Sequence, residues 1–107
     1  MKNPSQIYSV DERIQVWEDS GRMCHYCDKA LPRPGTKAGR RTQLDHINAK
    51  GLGGSHDLSN LFVCCRQCNL KKGRKSYEDY LTWQVAEYRR SLLRASKLLA
   101  RVKHGKA

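Results

Sequence analysis

Cys24 and Cys27 bracket two residues in "CHYC", and Cys65 and Cys68 bracket two more in "CRQC". Each C-x2-C pair puts two thiolates on one tight turn, and two such turns facing each other make a tetrahedral four-thiolate site. Those soft donors in that geometry suit Zn2+, and four protein ligands leave no open position, so the metal would hold the fold rather than do chemistry. One pair alone would read equally well as a redox motif; two pairs read as zinc. Cys64 competes with Cys65, since it would form a C-x3-C pair, but the match to the first pair assigns the ligand to Cys65. Adjacent residues at a strand end point opposite ways, which sends Cys64 to the core as a small hydrophobe. His25, inside the first pair, is expected to be exposed because four thiolates already complete the site.

These turns need elements to bring them together. "SVDERIQVWEDSG" reads as a short helix, with Ser9 and Glu12 at capping-box spacing, Gly21 as its stop, and Ile14 and Trp17 on one apolar face. "LPRPGTKAGRR" carries two prolines and two glycines and reads as a loop with a basic cluster. "TQLDHI" has strand character, "NAKGLGGSHDLSN" is a glycine-rich turn region, and "LFVCC" is a second short apolar run. "RQCNLKKG" reads as a turn or two of helix ended by Gly73, so residues 42–73 should run strand, loop, strand, helix. From Ser76 to about Lys103 there is neither Gly nor Pro. Tyr77, Leu81, Val85, Tyr88, Leu92, Ala95, Leu99 and Val102 recur in steps of four and three, one helical stripe, while Arg89, Arg90, Arg94, Lys97 and Arg101 take other surfaces. Such a helix would run roughly 42 Å at ~1.5 Å per residue, so part of it is expected to extend beyond a small body.

Composition bounds the function class. The chain has 107 residues, 38% hydrophobic, with a single Phe, a thin core that a structural metal would support. Twenty-one Lys and Arg against 10 Asp and Glu leave a net charge of +11, which favours a polyanionic partner, nucleic acid first. No apolar run reaches the ~18–20 residues that span a bilayer. The first residues carry acids and no hydrophobic core of a signal sequence, so the expected place is a reducing cytoplasm, where cysteines serve as metal ligands or free thiols.

The stretch "LDHINAKGLGGSHDLSNLFVCCRQCNLKKG" resembles the HNH endonuclease family, of the type with a zinc-knuckle pair. That pattern runs CxxC, Asp-His, a Gly-Gly turn, Asn-Leu, then CxxC followed by His or Asn and by Lys. This chain has Cys24/Cys27, Asp45-His46, Gly53-Gly54, Asn60-Leu61, Cys65/Cys68, Asn69 and Lys72 in that order, over about half its length. The resemblance implies a small α+β domain: a ββα-metal (His-Me finger) unit stapled by four-cysteine zinc, flanked by an N-terminal and a long C-terminal helix. One domain would span 1–107, with a core at 22–75 and the last helix at about 76–103.

It also implies roles. His46 would take a proton from water near neutral pH, and Asp45 and Asn69 would offer hard oxygen donors to Mg2+ or Mn2+. Asn60 would tie the loop and hold the His46 backbone. Asp45 and His46 are neighbours, so they can flank one phosphate only where the strand ends or distorts. Taken singly, a strand His or a helix-start Asn is usually packed or locally bonded; the ordered pattern makes them candidates. The departure is Asn69, where many members have His, and an amide oxygen biases the site toward Mg2+ or Mn2+. His56 falls outside the motif positions. Arg40, Arg41, Lys71, Lys72, Arg74 and Lys75 are candidate contacts to the backbone of DNA, expected to be double-stranded. The expected function is a metal-dependent DNA endonuclease of a phage or mobile element, leaving 5′-phosphate and 3′-hydroxyl ends. The alternatives are a non-catalytic zinc-ribbon binding module, or a nuclease subunit active only in a larger assembly. The C-terminal stripe would pack on the body, pair with a second copy, or bind a partner protein.

Overall fold

The computed structural model describes residues 7–47 and 57–105, and these divide after Tyr77 into two compact units. The Gly53-Gly54 turn and His56 lie outside the described residues. Helix α1 (Val10–Asp19) starts at the expected capping box: the Ser9 hydroxyl accepts from the Glu12 amide at 3.1 Å, and the Glu12 carboxylate accepts from the Ser9 amide at 2.9 Å. Gly21 ends the turn beyond it at φ 71°, a conformation that favours glycine. The buried face differs from the expected one, because Val16 and Trp17 are buried whereas Ile14 is only half-buried. Trp17 is fixed by its indole N–H, which donates to the Leu31 carbonyl at 2.9 Å.

Residues 42–73 fold as strand, loop, strand, helix. Strand β1 (Thr42–His46) pairs antiparallel with β2 (Leu61–Cys65), Thr42 opposite Cys65 and His46 opposite Leu61. All five residues of β2 are buried, since α1 packs on this strand and helix α2 (Arg66–Lys72) packs on both strands. A strand covered on both faces needs a continuous apolar run, and "LFVCC" supplies it. Cys64 is fully buried, and burial pushes its thiol well above the ordinary range, as expected of a core residue.

The basic loop before β1 is tied down rather than slack. The Thr36 hydroxyl donates to the Arg33 carbonyl at 2.7 Å, and the Thr42 hydroxyl donates to the Pro32 carbonyl at 2.6 Å. Gly39 is the second residue of a short 3-10 turn, Ala38–Arg41, where a Cβ would collide with the Arg33 carbonyl oxygen.

Helix α3 runs Tyr77–Lys103; Tyr77 belongs to the first unit and the rest of the helix to the second. Tyr80 and Gln84 are buried, and every side chain from Arg89 to Lys103 is exposed, including Leu92, Leu99 and Val102 of the predicted stripe. Among the described residues no helix is long and apolar enough to cross a membrane. The architecture is the expected small α+β fold, with a two-stranded antiparallel sheet and, among the described residues, three α-helices, the last of them the long C-terminal one.

Candidate metal centre and catalytic strand

The first cysteine turn is a small hairpin of its own. Met23 bridges Ala30, the Cys24 amide donates to the Lys29 carbonyl at 2.7 Å, and Asp28 closes the turn at φ 61°. The His25 amide donates to the Val63 carbonyl at 2.9 Å and so fastens this turn to β2. The second turn forms where β2 becomes α2. Cys65 is the N-cap, and its sulfur accepts from the Cys68 amide at 3.4 Å.

The four sulfurs of Cys24, Cys27, Cys65 and Cys68 lie within 4.8 Å of one another. Zn–S bonds of ~2.3 Å in a tetrahedron imply sulfur–sulfur edges of ~3.8 Å, and the Cys27–Cys65 separation is 3.8 Å. Donors and spacing therefore fit zinc. Burial pushes the Cys65 thiol up, but hydrogen bonds from the Cys68 backbone and the neighbouring cysteines outweigh it and bring the thiol below its ordinary range, which favours the thiolate a metal needs. Cys64 takes no part in the cluster. His25 is exposed as expected, yet its ring stacks on Phe62 at 4.1 Å and pairs with the Tyr77 hydroxyl at 2.7 Å.

From this knuckle α2 runs back beside β1. A step of three on a helix keeps one face, as does a step of two on a strand, so Asn69 and Lys72 meet Gln43 and Asp45. The Asn69 side-chain amide donates to the Gln43 Oε1 atom. Lys72 Nζ lies 2.9 Å from Asp45 Oδ2, and both side chains are largely buried, at 12% and 16% exposure. The same oxygen accepts from the Tyr26 hydroxyl at 3.2 Å, while Asp45 Oδ1 accepts from the His46 amide at 2.9 Å. Burial, and then the Asp45 charge, hold the Tyr26 phenol far above its ordinary range, so it stays a donor.

Strand β1 ends at His46, the point where alternation no longer forces neighbours apart. His46 is half-buried there. The next residue is held across the ladder, the Ile47 amide donating to the carbonyl of buried Asn60 at 2.9 Å. Asn60 itself closes the short 3-10 turn Leu58–Asn60 that leads into β2.

The candidate DNA contacts do not form one group. Arg40 and Arg41 are exposed before the start of β1, at the end opposite His46, whereas Lys71, Arg74 and Lys75 are exposed around the end of α2. Lys72, unlike them, is engaged by Asp45.

Two residues of this arrangement carry no motif signal. Gln43 shares strand parity with Asp45, and that parity alone places it on the same face. Tyr26 is signalled only by being a hydroxylated aromatic between two knuckle cysteines.

No curated protein matches the chain. The family model described as HNH endonuclease matches residues 24–81, just over half of its length, from the first knuckle cysteine into the start of α3.

Proposed function

The chain belongs to the HNH endonuclease family, and from that premise we propose that it is a divalent-metal-dependent DNA endonuclease acting as a single domain over 1–107. Carrying this reading is the meeting of α2 with one face of β1, where Asn69 bonds to Gln43 and Lys72 to Asp45 one residue before His46. His46 takes the proton from the attacking water as general base. Asp45 supplies a carboxylate oxygen and Asn69 a carbonyl oxygen, since the Asn69 amide nitrogen is already committed to Gln43. This donor set is hard and oxygen-only, and it fits Mg2+ or Mn2+. Bound there, either ion would neutralise phosphate charge and stabilise the leaving 3′ oxygen. Asn60 acts through the backbone by holding the chain next to His46. Arg40, Arg41, Lys71, Lys72, Arg74 and Lys75 position the phosphates of duplex DNA. The products carry 5′-phosphate and 3′-hydroxyl ends, and the setting is a phage or mobile element.

The exposed apolar stripe of α3, Val85, Tyr88, Leu92, Leu99 and Val102, supports a further role for that helix in pairing with a second copy or a partner protein.

Incubating supercoiled plasmid with the zinc-loaded chain and Mg2+ or Mn2+ tests the reading. His46→Ala should lose about 10²–10⁴-fold in cleavage rate and keep DNA binding by gel shift. If the wild-type chain binds plasmid yet cuts none under either metal, a zinc-stapled binding module replaces the enzyme.

A further inference from the structure

The salt bridge at the catalytic strand has a second meaning if the proposed metal site is correct, and the inference rests on that reading. We infer that Lys72 is the internal counter-ion of that site: its ammonium holds the Asp45 carboxylate in the metal-free protein, and an incoming divalent cation displaces it toward the substrate phosphate.

Three observations carry this. The Asp45 carboxylate has about four acceptor positions, and among the described residues three partners occupy it, the His46 amide, the Tyr26 hydroxyl and Lys72 Nζ. The two hydrogen bonds come from neutral groups that a bound cation tolerates. Lys72 is the one positive charge among them, and two cations on a single carboxylate repel each other strongly in a site this enclosed. Burial makes the exchange reciprocal. With Lys72 and Asp45 both largely inaccessible, leaving the carboxylate without any cation would be costly, so one cation replaces the other. Finally, Lys72 is the last residue of α2, beside exposed Lys71, Arg74 and Lys75. A lysine ammonium on a flexible four-carbon stem can swing from Asp45 to that basic surface, where a planar, two-pronged arginine would hold the carboxylate more firmly.

The test measures Mn2+ binding to the zinc-loaded full chain without DNA, by the electron paramagnetic resonance signal of free Mn2+. Lys72→Met should bind Mn2+ about tenfold or more tightly than wild type, and Lys72→Arg no more tightly than wild type. In the wild-type chain, Mn2+ should raise amine labelling of Lys72, read by mass spectrometry, while labelling of exposed Lys71 and Lys75 stays constant. The labelling arm needs no variant, so poor folding of Lys72→Met leaves the inference open to refutation. A purely structural pair would give unchanged or weaker Mn2+ binding in Lys72→Met and no change in labelling, and either result overturns the exchange. Asp45→Asn separates the two levels. Mn2+ binding that is absent, or indifferent to Asp45→Asn, removes the metal-site reading and the exchange with it. Binding that needs Asp45 but is not tightened by Lys72→Met removes the exchange alone.

Discussion

Gln43 illustrates how a side chain with no motif of its own sets the quality of a site. An asparagine amide can present oxygen or nitrogen to a cation, and only the oxygen is a ligand. By accepting from the Asn69 nitrogen, Gln43 leaves the oxygen as the end that would meet the proposed metal. Supporting contacts of this kind are worth about 10–100-fold in metal affinity or activity. Gln43→Ala should therefore raise the Mn2+ concentration needed for half-maximal cleavage by about that factor. Bound zinc and the melting temperature should barely move, because the change leaves the backbone pairing of Gln43 with Cys64 and all four cluster cysteines in place. A metal titration of cleavage checks it, and a fall in maximal rate with an unshifted titration would assign Gln43 another role. Asp45, His46, Asn60 and Asn69 became candidates through their order in the chain. Gln43 and Tyr26 were not, because their importance lies in which face of β1 meets α2 and which turn meets Asp45, a matter of packing rather than pattern.

The strand, the knuckles and the short helix depend on one another, and the two adjacent cysteines separate their contributions. Cys65 is at once the end of β2, the N-cap of α2 and a member of the metal cluster. Cys64 is only a buried wall of the core. Cys65→Ser should lose zinc and with it the pairing of α2 with β1, since metal binding and folding are one equilibrium in a unit this small. Cys64→Ala should keep a full equivalent of zinc and cost about 1 kcal/mol through a small cavity. Zinc content with thermal unfolding of both variants checks the pair, and zinc loss in Cys64→Ala would show that the cluster had been misassigned. At this level the sequence was informative wherever a pattern was local: the capping box of α1, the unbroken apolar run of β2, the length of α3. It was less so for the apolar face of α1, where Val16 is buried and Ile14 only half-buried. Two apolar residues three apart define a face only once the element opposite is known. The same holds for the α3 stripe, whose periodicity was plain while its exposure beyond Gln84 depended on what lies alongside.

A chain of 107 residues with net charge +11 must have a large electrostatic component in any binding to DNA, whatever the chemistry at His46. Each phosphate neutralised releases counterions and adds about −0.9 to the slope of log affinity against log salt. Were Arg40, Arg41, Lys71, Lys72, Arg74 and Lys75 all to contact phosphates, affinity should fall about 10³-fold between about 50 and 200 mM salt. Lys72 is held by Asp45, so the expected slope is about −4.5 while that pair persists and about −5.4 once Lys72 also reaches a phosphate. Replacing Lys71, Arg74 and Lys75 together by alanine should flatten the slope by about 2.7 and weaken binding to unrelated duplex sequences equally. These three are exposed around the end of α2, so the change should leave zinc content and folding intact. Fluorescence anisotropy with a labelled duplex, in chelator and over a salt series, measures the slopes. A triple variant with an undiminished slope would move the DNA-binding surface away from α2, and the proposed general base, His46, would then need a different approach to the phosphate.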